Sequence, residues 1–91
     1  MTVGTAGRTF TSEINRLANG GTYPAMTDMK DDQGAANTYA GTSGLGLIAA
    51  LNLKASGSRT PAQYKGLNAV CNELAGTSGN SAVDALRSMS T

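Results

Sequence analysis

The chain has no histidine and no tryptophan, a single cysteine (Cys71), a single phenylalanine (Phe10) and two prolines among its 91 residues. Each shortage excludes a class of chemistry. Without histidine there is no imidazole for acid–base catalysis, and the common zinc sites cannot be assembled. One cysteine leaves no intrachain disulfide. Charge is sparse and balanced, with seven Lys+Arg against six Asp+Glu and a net charge of +1, so the basic surplus that neutralises phosphates is missing. The longest apolar stretch, Leu45 to Leu51, is interrupted by Gly46 and falls far short of the roughly 20 residues that span a bilayer. Met1 is followed by Thr2, Val3, Gly4, Thr5, Ala6 and Gly7, which lack both the basic and the apolar regions of a signal peptide. The expectations are a soluble, non-enzymatic protein with no cofactor, no metal, no nucleic acid, no membrane and no small-molecule substrate.

What is present is small and flexible. Ninety-one residues make one domain at most. Alanine supplies 14 residues, and Leu, Ile, Val and Phe together supply only another 14, so the core is thin. Twelve glycines and 19 Ser+Thr mark turns and helix caps. A chain of this size buries only about two-thirds of its unfolded surface and usually needs a staple. Neighbouring protein chains are the expected one.

Periodicity predicts an all-α fold. Residues 1–8 read as a flexible N-terminal arm, and a single helical domain is expected over 9–91. Phe10, Ile14 and Leu17 follow Thr9 at helical spacing, and Asn19-Gly20-Gly21 stops the run. Thr27 or Asp28 is a candidate cap for a second helix running to Ala40, with Asp28, Asp31 and Asp32 in its acidic first turn and Gly34 weakening its start. Leu45 to Ala55, apolar on most sides, is the expected centre of the fold. Thr60-Pro61-Ala62-Gln63 has the form of a capping box that opens a fourth helix carrying Tyr64, Leu67, Val70 or Cys71, and Leu74, ended by Gly76. A last helix opens at Asn80 or Ser81 and carries Val83, Leu86 and Met89. Period-two alternation is absent, so no strand is expected.

The chain repeats itself. Shifted by 35 residues, NTYAGTSGLGLIAAL (37–51) aligns with NELAGTSGNSAVDAL (72–86), identical at eight of fifteen positions. A shorter echo, Asn-x-x-Ala followed by Gly, Asn or Ser, occurs at Asn15 and Asn52 as well, each at an expected helix end. The shared turn is Gly41-Thr42-Ser43-Gly44 in one copy and Gly76-Thr77-Ser78-Gly79 in the other. Gly41 and Gly76 are expected in the left-handed cap, Gly44 and Gly79 in a tight reversal, and the hydroxyls on the next helix's free N–H groups. Successive helices then fold back as stacked helical hairpins, about five short helices forming a small bundle or a two-unit solenoid.

Chemical readings of these residues are weak. The GTSG turns precede helices and could seat an anion, but no lysine follows as a phosphate loop requires. Asp28, Asp31 and Asp32 lack the spacing of a calcium loop, and charge complementarity at a helix start accounts for them. Cys71 falls on an apolar face as a packed thiol. Glu13 and Glu73 read as lone carboxylates on polar faces. Asn15, Asn37, Asn52 and Asn72 recur for geometry, hydrogen-bonding a neighbouring helix or turn backbone. Val3, Phe10, Tyr23, Met26, Met29, Tyr39 and Tyr64 are candidate protein-interface residues, since Tyr and Met are favoured there; an intramolecular core accommodates them equally well.

QGAANTYAGTSGLGLIAALNLKA (33–55) and GLNAVCNELAGTSG (66–79) resemble the A-N-x-x-A-G-T-[ST]-G-L-x-x-x-x-A-L-N-x-K-A-G segments of small structural proteins of tailed bacteriophages, particularly phages of actinobacteria. The second copy departs after Gly79, with Asn80-Ser81 in place of Leu-Gly. The resemblance implies a virion component made in the host cytoplasm, a minor capsid or decoration protein whose partner is a larger phage structural protein, the capsid first, or copies of itself. A tail or connector subunit is the alternative it leaves open. A small helical regulatory adaptor that binds a host protein is the competing class, and a helix–turn–helix over 60–74 fails for lack of a basic recognition helix.

Overall fold

The computed structural model describes residues 9–89; the arm assigned to 1–8, and Val3 with it, lies outside the described residues. Five α-helices follow in order: α1 (Phe10–Ala18), α2 (Asp32–Ala40), α3 (Leu47–Ala55), α4 (Leu67–Ala75) and α5 (Ala82–Arg87). One-turn 3-10 segments at Met26–Asp28 and Pro61–Gln63 precede α2 and α4. Among the described residues there is no strand, and the fold is all-α as the sequence predicts.

The first helix begins as its sequence dictates. Ser12 N–H donates to Thr9 Oγ1 at 3.2 Å while Thr9 N–H donates to Ser12 Oγ at 3.0 Å, a reciprocal cap that satisfies two donors at the helix start. Gly20 and Gly21, with φ of 77° and 107°, turn the chain away.

The starts of α2, α3 and α4 differ from expectation for one shared reason: α3, expected from Leu45, opens at Leu47, because Asn37 holds the Leu45 main chain. The second helix does run to Ala40, but it opens at Asp32, with Asp31 as N-cap accepting from Gly34 N–H at 2.7 Å. The Thr60-Pro61 box closes a single 3-10 turn, in which Thr60 N–H donates to Gln63 Oε1 at 2.9 Å; α4 starts only at Leu67. In both places the residue just ahead of the true N-cap, Lys30 or Lys65, has its main-chain N–H and C=O taken by a distant asparagine. A helix running through Lys30 or Lys65 would need those same groups.

The asparagines make the same clamp four times. Asn15, Asn37, Asn52 and Asn72 are each the sixth residue of a nine-residue helix. Each Nδ2 donates to the carbonyl four residues back (Thr11, Gln33, Ile48, Asn68) at 2.7–2.9 Å. It donates again to the carbonyl of Lys30, Leu45, Lys65 or Asn80 at 2.8–3.0 Å. Each Oδ1 accepts the N–H of that same residue at 2.8–3.2 Å. The clamped residue stands immediately before the N-cap of the next helix (Asp31, Gly46, Gly66, Ser81). A primary amide presents the donor and acceptor that a peptide group would, so one side chain fixes how each helix hands over to the next. The geometric role expected for these four residues is the one they have.

The repeat is longer in three dimensions than in sequence. The 3-10 segments (26–28 and 61–63), α2 and α4, and the starts of α3 and α5 all sit 35 residues apart. Gly41 and Gly76 take nearly identical left-handed caps, φ/ψ 75°/28° and 73°/27°, and Gly44 and Gly79 follow at φ 77° and 78°. The turn hydroxyls differ from expectation. Thr42 and Thr77 Oγ1 donate back to Asn37 and Asn72 Oδ1, both at 2.8 Å, so they join the clamp of the helix they follow instead of capping the next one.

Burial obeys the same pattern. The two residues before the clamp position are fully buried in every helix: Glu13-Ile14, Ala35-Ala36, Ala50-Leu51, Val70-Cys71 and Ala85-Leu86. Each helix packs on the next in order, and α5 returns to α1, closing the round. α3 is therefore no more central than its neighbours, and Leu53 is 39% exposed, because every helix contributes the same two-residue share to one core. The molecule measures 41 × 29 × 16 Å.

Candidate functional site

The self-similarity breaks at α1. Where the other helices bury alanine or valine, α1 buries Glu13, and the residue after its clamp is Arg16, 3% exposed, where α3 has Leu53. The lone exposed carboxylate expected at position 13 is thus corrected: Arg16 Nε donates to Glu13 Oε1 at 3.1 Å, and Tyr23 Oη reaches Glu13 Oε1 and Oε2 at 3.0 and 2.9 Å. Arg16 Nη2 donates to Leu86 O at 2.8 Å, a cation at the C-terminal end of α5, where the carbonyls lack helical partners. Arg16 also lies over the Tyr23 ring, 5.8 Å from its centroid. No periodicity argument finds Glu13, since it stands where an apolar residue belongs. The signal that would have found it is the pair of residues preceding each recurrent asparagine.

Tyr23 stands at the edge of an open cleft of about 570 Å³, lined also by Asn19, Pro24, Asp28 and Lys30. The side chains of Asp28 and Lys30 form no hydrogen bond or ion pair among the described residues. Lys30 is nonetheless fixed through its main chain by Asn15, and Asp28 by its 3-10 turn, with Asp28 N–H donating to Ala25 O at 2.8 Å.

Glu73 is likewise partnered rather than alone. Arg59 donates to Glu73 Oε2 and to Asn52 Oδ1, the latter at 3.1 Å, and Lys65 Nζ lies 3.8 Å from Glu73 Oε1. The Arg59 hydrogen bond holds the Glu73 carboxyl below its ordinary range and raises the guanidinium in turn. Cys71 is buried, and desolvation pushes its thiol up to about 11, the inert packed thiol expected from its position.

The seven candidate interface residues separate. Phe10 and Tyr39 pack against the core. Tyr39 is further engaged by Lys54 Nζ, 4.8 Å above its ring, and burial raises its phenol. Met29 and Tyr64 are half-buried, while Tyr23 and Met26 are exposed, Met26 at 76%. All eight GTSG residues form the turns described above. Among the described residues no group of His, Cys, Asp and Glu gathers to hold a metal, and no helix is long and apolar enough to cross a membrane.

No protein-family profile, curated protein or solved structure matches this chain.

Proposed function

We propose that this chain is a non-enzymatic structural protein of a phage particle, a minor capsid or decoration protein that docks on a larger protein lattice and acts by binding alone. The observation that carries the reading is the four-fold asparagine clamp. The chain spends its buried amides on fixing helix to helix, which makes a stiff tile 16 Å thick from a sequence with little hydrophobic mass. A rigid tile loses little conformational entropy on docking. The sequence resemblance of residues 33–55 and 66–79 to phage structural proteins supplies the particle. Exposed Tyr23, Met26 and Leu53 supply apolar anchors, and near-neutral charge lets many copies sit side by side.

The test is mass spectrometry of gradient-purified particles from a lysate in which the chain is made, with sedimentation of the isolated chain beside it. Many copies per particle are expected. Absence from particles together with a well-behaved monomer overturns the reading and favours the adaptor class.

A further inference from the structure

We infer that Asn19 is a site of spontaneous covalent modification: the Gly20 nitrogen closes on its side-chain amide, ammonia leaves, and the aspartate and isoaspartate that form loosen the turn leading to Tyr23.

The chain carries seven asparagines, and the fold protects six of them. Asn15, Asn37, Asn52 and Asn72 are buried, with both ends of the amide engaged in the clamp, and the N–H that follows each belongs to the same helix. Asn68 lies within α4, and its Oδ1 accepts Ala82 N–H at 2.9 Å. Asn80 is exposed, but Asn72 holds both of its main-chain polar groups, and the next residue, Ser81, carries a side chain. Asn19 alone is exposed, stands past the end of its helix and is followed by two glycines.

A main-chain nitrogen reaches the preceding side-chain amide only when the peptide between them can swing and no side chain on the next residue crowds the approach. Gly20 and Gly21 stand at φ 77° and 107°, with nothing within 4 Å of where a Cβ would be, so the main chain has both room and freedom. The contacts to be opened are those of a helix end. Gly20 N–H donates to Leu17 O at 3.3 Å, Gly21 N–H to Arg16 O at 2.8 Å and Asn19 Nδ2 to Thr22 O at 3.0 Å. Helix ends fray, so these open at far lower cost than global unfolding.

The step balances without oxidant or reductant. Base removes the Gly20 N–H proton, the nitrogen bonds to Asn19 Cγ, and the Cγ–Nδ2 bond breaks, Nδ2 leaving as ammonia with a proton from water. Water then opens the cyclic imide at either carbonyl, giving aspartate or an isoaspartate whose main chain runs through the side-chain carbon. Either product exchanges the amide donor to Thr22 O for a carboxylate, and sets that charge at the C-terminal end of α1, where the helix dipole favours cations. Net charge falls from +1 to zero. The inference is independent of the particle-docking reading, since it needs only water and this turn.

The test is peptide-mapping mass spectrometry of the full chain held in warm, mildly alkaline buffer, with isoaspartyl methyltransferase labelling and a urea-unfolded sample beside it. In the folded protein Asn19 is expected to convert roughly tenfold or more faster than any other asparagine, because glycine alone leaves the approach open. The rate rises with pH, and the isoaspartate label falls at that position. Asn19→Asp lowers the melting temperature by a few degrees, whereas Asn80→Asp, which adds the same charge just ahead of the N-cap of α5, leaves it unchanged or raises it. An Asn19 that stays intact while the unfolded sample converts, a second asparagine that converts as fast in the folded protein, or an Asn19→Asp melt equal to the parent's overturns the inference.

Discussion

Asn52 holds Lys65, thirteen residues further along the chain, by both of its main-chain polar groups at once: N–H to Oδ1 at 2.9 Å and Nδ2–H to C=O at 3.0 Å. Asn52 is 0% exposed, so these bonds have no water to replace them. Asn52→Ala removes at least three hydrogen bonds and strands the Lys65 main chain, and the expected loss is about 3 kcal/mol. Urea unfolding followed by circular dichroism reads it. Asn37→Asp, in the equivalent clamp whose hydrogen-bond partners are all uncharged, keeps the shape but replaces two donors with acceptors facing carbonyls, which favours the protonated carboxyl in the folded state and raises its folded pKa. Stability of that variant is therefore greatest below the unfolded value of about 3.9 and is lost as pH rises through the folded pKa. An Asn37→Asp protein that is most stable at neutral pH contradicts the clamp.

The Glu13–Arg16 pair yields a prediction of opposite signs. Removing either partner alone leaves a buried uncompensated charge and costs about 3 kcal/mol or more. Removing both, as Glu13→Ala with Arg16→Leu, gives α1 the residues that α3 carries at the same places, Ala50 and Leu53, and restores most or all of the lost stability. Thermal melts of the two single variants and the double variant complete the cycle.

Burial of Cys71 predicts protection and a pH limit. Thiol reagents at mildly alkaline pH label the protein only as fast as it unfolds, which mass spectrometry after timed quenching measures. Because the folded thiol titrates near 11 rather than near 9, its contribution is complete below the unfolded pKa and fades as pH rises from about 9 to about 11. Cys71→Ala flattens that part of the stability profile.

Gly76→Ala places a side chain at φ 73° with nothing within 4 Å of the new Cβ, so the cost is purely one of backbone conformation, about 1 kcal/mol. Gly57→Ala, outside the left-handed region, costs less or stabilises by restricting the unfolded chain. Equal melting temperatures for the two variants would contradict the cap assignment.

Much of this architecture was legible in the residues. Thr9, Gly41, Gly76 and Ser81 mark helix boundaries where their cap chemistry puts them, and the Asn-x-x-Ala echo ends α1 to α4 at Ala18, Ala40, Ala55 and Ala75. The starts of α2 and α4 were not legible, because local capping signals at Thr27 and Thr60 compete with a clamp formed from another helix, and the tertiary bonds prevail. Glu13 was hidden for a related reason: hydrophobic pattern cannot show that a carboxylate is buried when its partners, Arg16 and Tyr23, lie on the next turn and in the following loop.

From clamp asparagine to clamped residue the chain runs eight residues twice, thirteen once and fifteen once, yet the hydrogen bonds are the same. Connector length is thereby uncoupled from helix placement. Segments 19–29 and 56–64 can change length in descendants without altering the clamp as long as Tyr23 still reaches Glu13 and Arg59 still reaches Asn52 and Glu73, whereas the six-residue GTSG hairpins, with two left-handed glycines each, have no such latitude. New surfaces on this scaffold have one natural place to arise, and it is the pair of long connectors, the first of which already carries Tyr23 and Met26.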